Sequence, residues 1–120
     1  TGESLMVPRY DIVPIPEHLR EHLATKSVME FPVETVQSMF DFKAEEVVGK
    51  IAPRPLLLLH AAKDSVCPTE QSIELFKHAG EPAELHLLAD SDHFLLAEGN
   101  TRVREILKGW LDRYFPVDRR

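Results

Sequence analysis

Two side chains in this sequence have the right types to act as a general-base pair. They are Asp64, in the stretch LLLLHAAKDSVCP, and His93, in AELHLLADSDHF. A carboxylate bonded to one ring nitrogen fixes the tautomer of an imidazole and stabilises its protonated form. The other nitrogen is then free to take a proton from a nucleophile. The two residues lie roughly 30 positions apart, the length of one strand–helix–strand unit. Each follows an apolar run by a few residues. Open α/β sheets place their chemistry just beyond the carboxyl ends of their strands, so adjacent parallel strands would deliver both groups to one edge.

Other residues compete for chemical roles. HLREH, residues 18 to 22, matches an inverted zinc-protease pattern: on a helix His18 and His22 would lie one turn apart, with Glu21 as base. Such a short pattern arises easily by chance and no third ligand is evident, so a solvated helix face of charged and imidazole groups is strongly favoured over the zinc site. Cys67 shares the loop of Asp64 and reads as a small packed thiol. Ser65 and Ser91 adjoin the proposed pair, but neither stands on a strand-to-helix elbow. Asp90 and Asp92 flank His93 and could compete with Asp64 for its ring. His60 and His86 fall within strands and read as structural, and Phe94 and Leu95 as packing under the histidine loop. Met6, Met29, Met39 and Phe40 would line a pocket if the first half forms a lid, though helix packing explains them equally well.

The elements that must position these groups follow from pattern. PLLLLH shows no alternation, the mark of a strand covered on both faces in a parallel sheet. Thr69 is expected to cap a helix over EQSIELFKHA that stops at Gly80, and AELHLLA is the second strand. Val103, Ile106, Leu107, Trp110, Leu111 and Tyr114 repeat at helical spacing up to Pro116. Upstream, prolines 8, 14 and 16 mark an extended segment. Helices are expected from Pro16 through EHLREHLAT and from Pro32, and Gly49 should close a turn over KAEEVVGKI. Two parallel strands cannot form a doubly covered sheet alone, so further strands are expected from outside these residues.

The bulk numbers bound the class. Of 120 residues, 43% are hydrophobic and 28% charged, a globular balance for about one small domain. Twenty acidic against 14 basic residues give a net charge of −6, which disfavours nucleic acid and anionic membrane surfaces as partners. No apolar stretch approaches the roughly 20 residues that cross a bilayer, and Thr1 to Arg9 does not read as a secretion signal. A single cysteine, Cys67, forms no internal disulfide and fits a reducing, cytoplasmic compartment.

From about residue 50 to 115 the sequence resembles the C-terminal part of an α/β-hydrolase. PRPLLLLHAAKDSVCP is similar to that family's seventh strand, acid loop and following proline. AELHLLADSDHF is similar to its eighth strand and histidine loop, and TRVREILKGWLDRYF to its closing helix. The esterase and peptidase branches, dienelactone-hydrolase-like and acyl-peptidase-like, are the nearest in character. Ala61 stands where the family often has glycine, and DSDH lacks the glycine often found before the histidine.

The resemblance implies an α/β fold with residues 1–48 as a helical lid or cap and 49–120 as the C-terminal hydrolase segment. The family's triad runs nucleophile, acid, histidine. Carried over, Asp64 is the acid and His93 the base, with a serine on an upstream G-x-S-x-G elbow. Gly2, Gly49, Gly80, Gly99 and Gly109 never bracket a serine here. The expectation is therefore a serine hydrolase that cleaves an ester or amide through an acyl-enzyme, needs no cofactor or metal, and is inactive as this chain alone. Its partners would be a small ester or amide substrate and either the rest of the sheet or a second copy of the chain. The alternative from another class is a non-catalytic interaction or dimerisation module on a truncated hydrolase fold.

Overall fold

The structure, a computed structural model, describes residues 5–97 and 99–118. In chain order its elements are β1 (Met6–Pro8), α1 (Arg9–Ile12), β2 (Glu30–Pro32), α2 (Val33–Asp41), β3 (Leu56–Ala61), α3 (Thr69–His78), β4 (Ala83–Leu88) and α4 (Thr101–Tyr114). Short 3-10 turns occupy Glu17–His22, Ala44–Glu46 and Val48–Ile51.

β3 and β4 pair in parallel, with Leu58 opposite Leu85 and Ala61 opposite Leu88. The ladder is closed at one end by Leu56 N–H donating to the Pro82 carbonyl (3.0 Å) and at the other by Ala62 N–H donating to that of Leu88 (2.8 Å). The strands therefore end level, and residues 62 onward and 89 onward leave the sheet at the same edge. α3 links them and packs against both, the helical crossover that parallel neighbours require. Among the described residues each strand has a neighbour on one side only.

Thr69 does not cap α3. Pro68 takes the cap position, and Thr69 is the first helical residue. Its hydroxyl instead reaches back to the carbonyls of Ala61 (3.3 Å) and Ala62 (3.1 Å) at the end of β3. Gly80 is required where α3 turns toward β4: a Cβ there would lie 2.6 Å from that of Ala52. Gly49 sits inside the 3-10 turn Val48–Ile51 rather than closing the segment. α4 begins at Asn100, whose side chain accepts from Arg102 N–H at 2.9 Å. Its expected apolar stripe divides: Val103, Ile106, Trp110 and Tyr114 turn inward, whereas Leu107 and Leu111 stay exposed.

The first half contains the expected helix after Pro32 but also a short antiparallel pair, β1 with β2, that the proline-rich pattern did not announce. EHLREH winds as a 3-10 turn rather than an α-helix and ends at Leu23. It has one buried anchor, Leu19, too little apolar periodicity to fix a longer α-helix. The buried apolar side chains, Ile15, Leu19, Val36, Val48, Ala61, Leu88 and Val103, come from both halves.

Candidate active site

The acid loop folds on its own side chain. Val66 N–H and Cys67 N–H donate to Asp64 Oδ1 at 2.7 and 2.8 Å. A short carboxylate that accepts from the backbone two and three residues ahead is how aspartate stabilises turns. Oδ2 is left facing out of the turn, and His93 Nδ1–H donates to it at 3.1 Å. The acid is sealed, with its side chain 4% exposed, while the ring is 31% exposed. Among the described residues nothing bonds His93 Nε2. The ring borders an open concavity of about 1070 Å3, lined also by Met39, Phe42, His60 and Ser72. Phe94 sets its edge against the His93 ring, centroids 5.0 Å apart at 85°.

The electrostatics suit an ionised acid beside a proton-accepting ring. Burial pushes the Asp64 carboxyl up, but the Cys67 and Val66 amides and the His93 ring together outweigh it, so its pKa lies below the ordinary carboxylate value. Burial and the Asp64 charge push the Cys67 thiol up. At neutral pH it is the thiol rather than the nucleophilic thiolate.

Asp92 does not compete for the ring. Its Oδ1 accepts from the backbone N–H of both Ser65 and His93, each at 2.8 Å, and its Oδ2 accepts from the Ser65 hydroxyl at 2.7 Å. It is a clasp between the acid loop and the histidine loop. Burial raises its pKa, but the Ser65 amide and hydroxyl, the His93 amide and the nearby His18 lower it further, to below the usual value. Asp90 turns the chain after β4 with φ of 59°, a left-handed conformation that aspartate tolerates better than most residues. Ser91 accepts from the Asn100 side-chain amide, which ties the histidine loop to the cap of α4. The clasp was not legible from spacing; the only signal was that short polar side chains adjoin both members of the pair.

The remaining candidates fall elsewhere. His18 and His22 lie in a 3-10 turn, where residues four apart do not stack on one face. The His22 ring meets Phe94 at 5.9 Å, and among the described residues no group of three His, Cys, Asp or Glu side chains could hold a metal. The zinc alternative thus finds no site. The first half of the chain instead reaches the histidine loop through these two residues. Met39 lines the concavity, but Met6, Met29 and Phe40 do not and are exposed. His86, within β4, pairs with Glu84 at 3.6 Å.

These elements define the C-terminal part of an α/β-hydrolase fold: the last parallel strands, their crossover helix, two loops meeting at one edge and a closing helix. The chain superposes on the crystal structure of the α/β hydrolase GrgF from Penicillium sp. sh18 with a TM-score of 0.76 and 22% identity, covering 97% of this chain and 44% of that one. In sequence it is 32% identical over 80 residues to the polyketide transferase grgF of Penicillium sp., 67% of this chain and 26% of the relative. It is also 36% identical over 52 residues to the uncharacterized protein YfhR of Escherichia coli strain K12, 43% of this chain and 18% of that one. The chain therefore spans about a quarter or less of the curated relatives it matches. No family model matches. No helix among the described residues is long and apolar enough to cross a membrane.

Proposed function

We propose that this chain supplies the acid and the histidine of a serine hydrolase, with Asp64 orienting His93. The single observation that carries the reading is the 3.1 Å contact between His93 Nδ1 and Asp64 Oδ2, with Nε2 left open beside a concavity. In the reaction, Nε2 takes the proton of a serine hydroxyl as its Oγ bonds the carbonyl carbon of an ester or amide. It then gives that proton to the departing alcohol or amine. Water repeats the sequence on the acyl-enzyme and releases the acid. No metal or cofactor enters this scheme.

The serine comes from a G-x-S-x-G segment outside these 120 residues, so the chain alone is inactive. Residues 1–48 serve as a lid; the supporting contact is His22 against Phe94. The single half-buried thiol suits the cytoplasm. A second reading concerns only the acceptor. One relative is named a polyketide transferase, and the same pair would serve acyl transfer to an alcohol, amine or carbon nucleophile in place of water.

The test is a fluorophosphonate probe together with p-nitrophenyl esters of short acids. The 120-residue chain should react with neither. A polypeptide carrying it together with the G-x-S-x-G segment should be labelled at that serine, and His93→Ala should abolish labelling. Labelling of the short chain at one of its own serines would overturn the assignment.

A further inference from the structure

The His60 side chain is buried, 9% exposed at the end of β3, and the proposed proton transfers give it no task. Its Nε2 lies 3.0 Å from the Cys67 carbonyl and 3.3 Å from Asp64 Oδ2. Its Nδ1 meets the hydroxyl of Ser72, on α3. Two acceptors face Nε2. A lone pair there would confront both, so the proton resides on Nε2 and is donated to the Cys67 carbonyl. Nδ1 of the neutral ring is then the acceptor, and Ser72 O–H is the donor that holds the ring in this tautomer.

We propose that His60 is a positioning residue for the acid loop: oriented by Ser72, it grips the Cys67 carbonyl and so fixes the turn that hands Asp64 Oδ2 to His93. The turn is then held at both ends of one residue, with Cys67 N–H donating to Asp64 Oδ1 and the Cys67 carbonyl accepting from His60. Nε2 also lies 3.3 Å from Asp64 Oδ2, but His60 takes no part in proton transfer. The two histidines therefore carry opposite tautomers on one carboxylate, Nε2–H at His60 and Nδ1–H at His93. This inference rests on the proposed roles of Asp64 and His93.

Long-range 1H–15N spectra of the 120-residue chain test it without any turnover. His60 should show a protonated Nε2 and a bare, hydrogen-bonded Nδ1; the reverse assignment would overturn the proposal. Ser72→Ala should move the His60 Nδ1 resonance toward that of an unbonded ring nitrogen, and an unmoved resonance also counts against it. His60→Leu fills the space but cannot donate, and should speed solvent exchange of the His93 Nδ1 proton by on the order of tenfold. His60→Gln, which can both donate to Cys67 and accept from Ser72, should restore most of that protection. Equal exchange in the Leu variant and the wild type would reduce His60 to packing. Should the Leu variant not fold, the wild-type and Ser72→Ala spectra decide. A failure of the hydrolase reading would be seen in probe labelling and would leave these ring signals untouched.

Discussion

Asp64 presents its two oxygens to different tasks, and asparagine separates them. In Asp64→Asn the remaining carbonyl oxygen can still accept from the Val66 and Cys67 amides, as Oδ1 does now. The new NH2 would then face His93 Nδ1 across the 3.1 Å gap. Two donors cannot share that contact, so His93 should swap to the Nε2–H tautomer, with Nδ1 accepting. The 15N spectrum of the ring reads this directly, and retention of Nδ1–H would show that Asp64 does not govern the ring. In a complete enzyme the same change should lower kcat by about 10⁴. Acid stability follows from the same carboxylate. Its pKa is lower folded than unfolded. The stability it contributes is complete above the unfolded value, about 4, and is lost as pH falls through the folded value. Urea midpoints should therefore fall more steeply with acid in the wild type than in Asp64→Asn.

Between elements, the contact that sets the spacing of the two loops is Asp92. Removing its carboxylate leaves the Ser65 and His93 amides and the Ser65 hydroxyl without the acceptor they now share. Because these bonds lie near solvent, water recovers part of the loss. Asp92→Ala should cost about 1 kcal/mol and selectively speed exchange of the Ser65 and His93 amides, while Asp92→Asn should be milder. Uniform exchange across both loops would argue against a clasp.

β3, β4, α4 and the Asp64–His93 meeting point were legible because unbroken apolar runs, helical spacing and parallel topology each fix one degree of freedom. The clasp was not, since no spacing rule says that Asp92 chooses two backbone amides over a ring. His60 read as a structural residue from its place in a strand; its contact with the acid loop depends on how β3 abuts residue 67, a three-dimensional fact. Thr69 does not cap α3 because Pro68 claims the cap, and its hydroxyl donates to the carbonyls of Ala61 and Ala62 at the end of β3. The β1–β2 pair escaped because three-residue strands are too short to show a period.

At the scale of the whole molecule the chain exposes more surface than its mass should. Its accessible area is 8950 Å2 for 13.7 kDa, against about 6600 Å2 for a compact protein of that mass. Its radius of gyration is 17.3 Å, against about 14 Å for 120 residues. The excess has identifiable places. β3 and β4 each keep an unpaired edge among the described residues. Leu107 and Leu111 of α4, with Phe115 and Val117 just past its end, line a shallow groove of about 410 Å3. Open strand edges and contiguous apolar faces drive association when nothing covers them. The isolated chain should therefore sediment above 13.7 kDa with a mass that rises with concentration, and Leu111→Glu should lower that mass if the α4 face is the contact. A polypeptide that also carries the remaining strands should be monomeric, because the same surfaces would then be buried within one sheet. A short chain that stayed monomeric and bound no hydrophobic dye would mean that these faces are already satisfied. The case for a larger sheet around Asp64 and His93 would then lose its physical ground.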